Sequence, residues 1–136
     1  MDHAPERARE GRDALSLRAL RGATTIDRDA PAELLDATCE LLRAMVDRNE
    51  VGIADIVSII FTTTRDLSSA DPSRAARALG WDMIPLLCMS EIAVPTGLAR
   101  CVRVLMHVEM RRDRGRPRPV YLRGATALRP DLAARA

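Results

Sequence analysis

Residues 99–110 read ARCVRVLMHVEM, and this stretch decides the fold. Its alternation of side chains predicts a long β-strand from Ala99 to Met110. One face of this strand carries Val102, Val104, Met106 and Val108. The other face carries Cys101, Arg103, Leu105 and His107. Because both faces are largely apolar, we expect Arg103 to point into a covered space, where an unpaired guanidinium is costly and needs an anionic partner.

The sequence on either side of this strand predicts the remaining helices and strands of an α+β domain. Helical spacing of apolar residues and Pro31 in the first turn predict a helix over 31–49, which Asp29 is expected to cap. A second, short helix is expected over 72–78. β-Strands are predicted at 17–26, 57–64, 83–89, 99–110 and 120–125. The order βαβαβββ favours a mixed β-sheet with two helices. Residues 1–15 are charged and aperiodic, so we expect a disordered N-terminal extension and a folded domain over 16–133.

Composition excludes several classes of function. The chain has 136 residues and a net charge of only +2, so no overall field attracts nucleic acid or a membrane. It contains no lysine, which excludes Schiff-base chemistry. Three cysteines without C-x-x-C spacing argue against a disulfide framework or a zinc site. No secretory signal or transmembrane run is recognisable, so we expect a cytoplasmic protein.

Polar residues in apolar surroundings are the candidate functional groups. Arg21 lies between Ala19 and Ala23 in the first strand, and Glu91 lies in an apolar setting after Met89. Each has a structural alternative: Arg103 and Glu91 could form an ion pair that only stabilises the fold, and Arg21 could pair across strands. Similarly, Tyr121 could belong to the core, and Cys88 could be a small buried hydrophobe. These residues alone predict an anion-binding pocket.

A second basic feature is the loop over 111–119. Its five arginines are most simply a solvated loop, and they could instead form a phosphate-binding patch. No aromatic side chains are interleaved with them for base stacking, so we expect no nucleic-acid partner.

Five short sequence motifs that occur in a fixed order identify a family more specifically than any single residue does. These are RALRGATT at 18–25, CMSE at 88–91, RCVRV at 100–104, VYL at 120–122 and LRPDL at 128–132. Together they resemble the Bacillus-type (AroH-class) chorismate mutases, over about residues 15–133. The resemblance implies a fold with helices around a mixed sheet, in a trimeric pseudo-barrel. It also implies pockets between the subunits of a homotrimer.

The resemblance also implies the site, with chorismate as substrate and prephenate as product, and no cofactor or metal. Arg21 should bind a substrate carboxylate, Arg103 should reach the ether oxygen, and Glu91 should meet the ring hydroxyl. We take these three as the catalytic set. The substrate-binding set implied by the resemblance is Arg21, Arg74, Arg77, Leu87, Cys88, Arg103, Tyr121, Leu128 and Arg129.

One departure from the family pattern concerns the pocket wall. Asp71-Pro72 stands where the family has Phe-Pro, so a phenyl wall has become a carboxylate. An acid beside a dianionic substrate should weaken binding unless it turns outward or pairs with an arginine such as Arg74. Two alternative functions therefore stay open: an enzyme acting on a related chorismate-derived acid, and a non-catalytic anion-binding trimer of this fold.

Overall fold

A computed structural model describes residues 14–133 of the chain. The strands are β1 (Leu15–Thr25), β2 (Ile56–Thr63), β3 (Leu86–Ser90), β4 (Cys101–Arg111) and β5 (Val120–Tyr121). The α-helices are α1 (Pro31–Arg48), α2 (Arg74–Ala78) and α3 (Pro130–Ala133), and short 3-10 turns lie at Ile53–Asp55, Arg112–Arg114 and Arg123–Ala127. Most of the predicted N-terminal extension, residues 1–13, lies outside the described residues.

The five strands form one mixed sheet in the order β3-β2-β4-β1-β5. Strand β4 is central and pairs antiparallel with β1 and β2, whereas the outer pairs β2–β3 and β1–β5 are parallel. The predicted α+β class with a mixed sheet is therefore confirmed. The structure adds the short helix α3 to the two helices that the sequence predicts.

Helix α1 covers one face of the sheet and makes the main core with it. Its buried stripe packs on the face of β4 that carries Val104, Met106 and Val108. The largest fully buried side chains include Phe61, Leu41, Leu42 and Met45. With few aromatic residues, this core is mostly aliphatic, and its burial is the main favourable contribution to folding.

The opposite face of the sheet is open in a single chain. It exposes large apolar side chains, those of Leu17, Leu87, Met89 and Leu105. Arg21 and Arg103 lie on the same face because strand residues two apart point to the same side. This open face positions the candidate site.

Several local expectations were wrong. Asp29 does not cap α1: the N-cap residue is Ala30, and the Asp29 carboxylate accepts hydrogen bonds from the backbone N–H groups of Ser68 (3.0 Å) and Ser69 (3.1 Å). The last strand ends at Tyr121, because the chain turns into a 3-10 segment in which Arg123 has a φ of +52°. Both deviations arise from tertiary contacts that local patterns do not encode.

The close packing of β1 on α1 depends on Gly22. A Cβ atom at this position would lie 2.5 Å from Met45 Sδ and 3.1 Å from Leu41 Cδ1. We predict that Gly22→Ala destabilises the fold by about 1–3 kcal/mol through overpacking. Met45→Ala opens space at the same place, so the double variant should be clearly more stable than the sum of the two single effects predicts. Urea denaturation of all four proteins measures this, and strict additivity would show that the contact is not tight.

Candidate active site

A groove of about 670 Å³ lies on the open face of the sheet, where β1, β4 and β5 meet the C-terminal segment. Three arginines line it, namely Arg21, Arg103 and Arg129. Strand register explains the first two: Arg21 pairs with Leu105 and Ala23 pairs with Arg103, so both arginines lie on one face of neighbouring strands. The groove is therefore a basic recess with an apolar floor, which suits an organic anion.

Arg103 forms an ion pair with Glu91. Arg103 Nε lies 3.0 Å from Glu91 Oε1, and the Thr62 hydroxyl donates to the same carboxylate oxygen at 2.7 Å. Thr62 is the strand partner of Arg103, so β2 supports the pair from beside β4. Because the contact to Glu91 is made through Nε, the terminal guanidinium nitrogens remain available for a ligand.

The prediction that Arg103 is covered was wrong for a single chain. The Arg103 side chain is 50% exposed, whereas that of Glu91 is 17% exposed. The apolar residues beside Arg103 lie on the open face, which alternation alone could not distinguish from a covered one. Arg21 is also exposed, and it has no carboxylate within 4 Å among residues 14–133.

Residues after β4 close one end of the groove. Tyr121 is half-buried in β5, where it pairs with Ala23 and packs with Leu98 and Leu128 in a small apolar cluster. Arg129 lies at the groove and is held by Asp131, with Arg129 Nη2 2.9 Å from Asp131 Oδ2. The expected residues Tyr121, Leu128 and Arg129 therefore meet Arg21 and Arg103.

Three other expected residues, Arg74, Arg77 and Cys88, form a separate cluster at α2 and the edge strand β3. Cys88 in β3 donates its thiol hydrogen to Asp71 Oδ1 at 2.8 Å, and the same oxygen accepts from the Ser73 N–H at 2.9 Å. Asp71 thus turns to Cys88 and does not form an ion pair with Arg74. Arg74 and Arg77 are both exposed on α2.

These two clusters lie on opposite faces of the sheet. Cys88 pairs with Phe61, which is fully buried against the helices, whereas Arg103 pairs with the neighbouring residue Thr62. Successive strand residues point to opposite faces, so Cys88 and Arg103 cannot reach one ligand from the same chain. We call Arg21, Glu91, Arg103, Tyr121, Leu128 and Arg129 the first half-site. We call Asp71, Arg74, Arg77 and Cys88 the second half-site. The expected residue Leu87 pairs with Ile60, which lines the groove, so Leu87 lies on the open face and belongs to neither half-site.

Comparisons with known proteins identify the family. The family model for chorismate mutase type I matches residues 17–132. The chain is 38% identical over 120 residues to chorismate mutase AroH of Bacillus subtilis, covering 88% of this chain and 94% of that protein. It is 43% identical over 117 residues to chorismate mutase AroH of Thermus thermophilus, covering 85% and 96%. A solved chorismate mutase structure from Clostridium thermocellum matches with a TM-score of 0.75 and 43% identity, over 80% of this chain and 97% of that one.

The chain belongs to the chorismate mutase type I family.

Within this chorismate mutase fold, sequence reasoning missed Thr62 and the apolar floor of the groove. Thr62 could be recognised only from its register opposite Arg103, and strand register is a tertiary property. Ile60, Met89 and Leu105 also line the groove and read as ordinary strand residues in the sequence.

No group of three or more His, Cys, Asp or Glu side chains within residues 14–133 is placed to hold a metal ion. No helix in the same range is both long and apolar enough to cross a membrane.

The Cys88–Asp71 contact has a measurable consequence in this chorismate mutase. Burial raises the pKa of the Cys88 thiol to about 11, and the hydrogen bond to Asp71 acts in the same direction. Burial also works against ionisation of Asp71, but hydrogen bonds from Cys88 and Ser73 outweigh it and lower the pKa of that carboxyl. At neutral pH the pair is therefore a thiol and a carboxylate.

We predict that Asp71→Asn lowers the pKa of Cys88, because it removes the negative charge that disfavours the thiolate. Peptide-resolved alkylation by iodoacetamide between pH 7 and 11 measures this, since only the thiolate reacts. The Cys88 profile should move to lower pH, while that of Cys39, whose pKa burial also raises, should stay unchanged as an internal control. An unchanged Cys88 profile would show that Asp71 does not control this thiol.

Proposed function

We propose that this protein is a chorismate mutase, which converts chorismate to prephenate in the biosynthesis of phenylalanine and tyrosine. The observation that carries the proposal is the Arg103–Glu91 pair at a groove that also contains Arg21. The rearrangement occurs within one molecule. It needs no nucleophile, base, metal or redox cofactor from the protein.

Two tasks remain for the enzyme. Chorismate carries two carboxylates and a flexible enolpyruvyl ether, which must be folded over the ring before the bonds can change. As the carbon–oxygen bond breaks, negative charge develops on the ether oxygen and must be stabilised. A site that is complementary to this folded, charge-separated state lowers the barrier.

Arg103 is proposed to stabilise the developing charge. Its guanidinium carries a positive charge and offers several donors in a fixed fork. Glu91, itself held by the Thr62 hydroxyl, fixes one edge of the guanidinium, so the remaining N–H groups point in a defined direction without reorganisation during the reaction. Glu91 also balances the positive charge of the groove and can accept from the ring hydroxyl.

The other groove residues are proposed to bind the substrate. Arg21, with no competing carboxylate nearby in residues 14–133, is suited to a bidentate contact with a substrate carboxylate. The Tyr121 phenol can donate to a carboxylate, and Leu128 and Arg129 lie where the groove opens. In this arrangement, arginine side chains fixed in the groove balance both negative charges of the substrate, so mobile counterions are not needed.

A second copy of the chain is proposed to complete the site. The second half-site cannot reach the groove of its own chain, and the apolar open face requires cover. We propose a homotrimer in which Arg74, Arg77 and Cys88 of one copy meet the first half-site of the next. A ring of three such heterologous contacts is a closed assembly.

We also propose that the protein is cytoplasmic and that residues 16–133 form the catalytic domain, with 1–15 as an extension to it. The free thiols of Cys39, Cys88 and Cys101 suit a reducing compartment.

We predict that Arg103→Ala lowers kcat by about 100- to 1,000-fold or more, since it removes the donor to the ether oxygen. Arg103→Lys should also lower kcat strongly, because one ammonium group lacks the fork geometry of arginine and cannot contact both Glu91 and the ether oxygen. The assay follows chorismate absorbance and identifies prephenate as product. Arg43→Ala, which removes an exposed arginine on α1, is the matched control and should keep full activity. A near-normal rate for folded Arg103→Ala would remove Arg103 from the mechanism.

We predict that two inactive variants complement each other when they are unfolded and refolded together. In mixed trimers of Arg103→Ala and Arg77→Ala, one contact in three joins two intact half-sites, so random assembly of equal amounts should restore about a quarter of wild-type activity. A mixture of Arg103→Ala and Arg21→Ala is the control: both changes lie in the first half-site, so it should restore none. Equal recovery in both mixtures, or none in either, would contradict a site shared between copies.

A further inference from the structure

A small basic cavity lies at the C-terminal end of α1, and it shares no lining residue with the groove. It has a volume of about 130 Å³. Four arginines line it, one from α1 and three from the segment after β4: Arg48, Arg114, Arg116 and Arg118. None of them belongs to either half-site, so the proposed reaction gives them no role.

The backbone around this cavity is fixed by Asn49. The Asn49 side chain is only 6% exposed, donates to the Met45 carbonyl (2.8 Å) and the Arg118 carbonyl (3.0 Å), and accepts from the Arg118 N–H at 2.7 Å. Arg114 Nη1 donates to the carbonyls of Asn49 (3.1 Å) and Glu50 (2.8 Å). The segment is therefore attached to the helix end by four hydrogen bonds and does not depend on the arginine side chains at 116 and 118.

The charge at the cavity is not balanced within the described chain. Residues 111–118 contain five arginines and one aspartate, a net charge of +4. Arg111 pairs with Asp113 at 3.0 Å and Arg114 pairs with Glu50 at 3.2 Å. Arg48, Arg116 and Arg118 have no carboxylate within 4 Å among residues 14–133. Three like charges around one recess repel one another, and a bound anion would relieve this repulsion.

We propose that this cavity, which we call the arginine recess, binds a phosphate group. Its volume corresponds to about four water molecules at roughly 30 Å³ each, which suits a tetrahedral oxyanion and is too small for a substrate that fills the groove. Guanidinium groups match phosphate oxygens with paired N–H donors. The recess is open to solvent, so the group can be free phosphate or the phosphate of a monoester.

Binding should stabilise the fold by linkage, because the recess exists only when α1 and the 112–118 segment are assembled. The probe is inorganic phosphate, titrated at constant ionic strength with chloride as the balancing anion. The wild-type protein should bind phosphate saturably in calorimetry, and its Tm should rise with phosphate concentration. Glycerol phosphate in a parallel titration distinguishes the two sources: tighter binding than phosphate assigns the recess to monoesters, and weaker binding assigns it to the free ion.

Arg116→Gln/Arg118→Gln is the decisive variant. Neither side chain makes a hydrogen bond within residues 14–133, so the fold and chorismate turnover should be unchanged. Its phosphate affinity should fall by about tenfold or more, since charge-assisted hydrogen bonds are lost. Arg43→Gln, on α1 outside the recess, should bind phosphate as the wild type does. Arg21→Gln, a change in the groove, should also leave phosphate affinity at the wild-type level.

Two results would overturn the proposal. In the first, saturable binding is absent from the wild type, or it is equally tight in the double variant, in which case phosphate does not occupy the recess. Alternatively, binding could be lost in Arg21→Gln and kept in the double variant, in which case phosphate occupies the groove. Neither result depends on catalysis, so the proposal and the chorismate mutase assignment can fail separately.

Discussion

The open face of the five-stranded sheet is the constraint on which the rest of this structure depends. Helix α1 covers one face, and the other presents Leu17, Leu87, Met89 and Leu105 to solvent beside Arg21 and Arg103. A domain normally buries both faces of such a sheet, or leaves the second one polar. Here the uncovered face is apolar and also carries the basic groove. In the proposed assembly, a second copy that covers this face would also enclose the substrate.

What the Arg103–Glu91 pair contributes depends on whether this open face is exposed to solvent or covered. Half exposed, the pair contributes little to the stability of one chain, because solvent screens it. Enclosure would remove water and strengthen each of its interactions with a ligand. Under the proposed assembly, the guanidinium would be preorganised by Glu91 in one chain and would become effective only when the site is closed.

The sequence was sufficient to predict the α+β class and to assign residues to the two faces of β4, because the alternation of side chains along a strand is a local property. It could not show which face is covered, so Arg103 was wrongly expected to be buried. It also could not show register, which places Thr62 against Glu91. Of the ten expected site residues, six meet around the groove, Arg74, Arg77 and Cys88 lie on the helix-covered side of the sheet, and Leu87 lies on the open face of the edge strand. Their division between two faces follows from strand pairing and not from any motif. Likewise, the substitution at position 71 is visible in the sequence, but its hydrogen bond to Cys88 is not.

The most direct test of a site completed by a second copy combines sedimentation velocity with chorismate turnover in the same fractions. The account predicts that turnover follows a species of three times the 15.0 kDa chain mass, and that specific activity falls on dilution as this species dissociates. A single-chain species that converts chorismate at the full rate would contradict it.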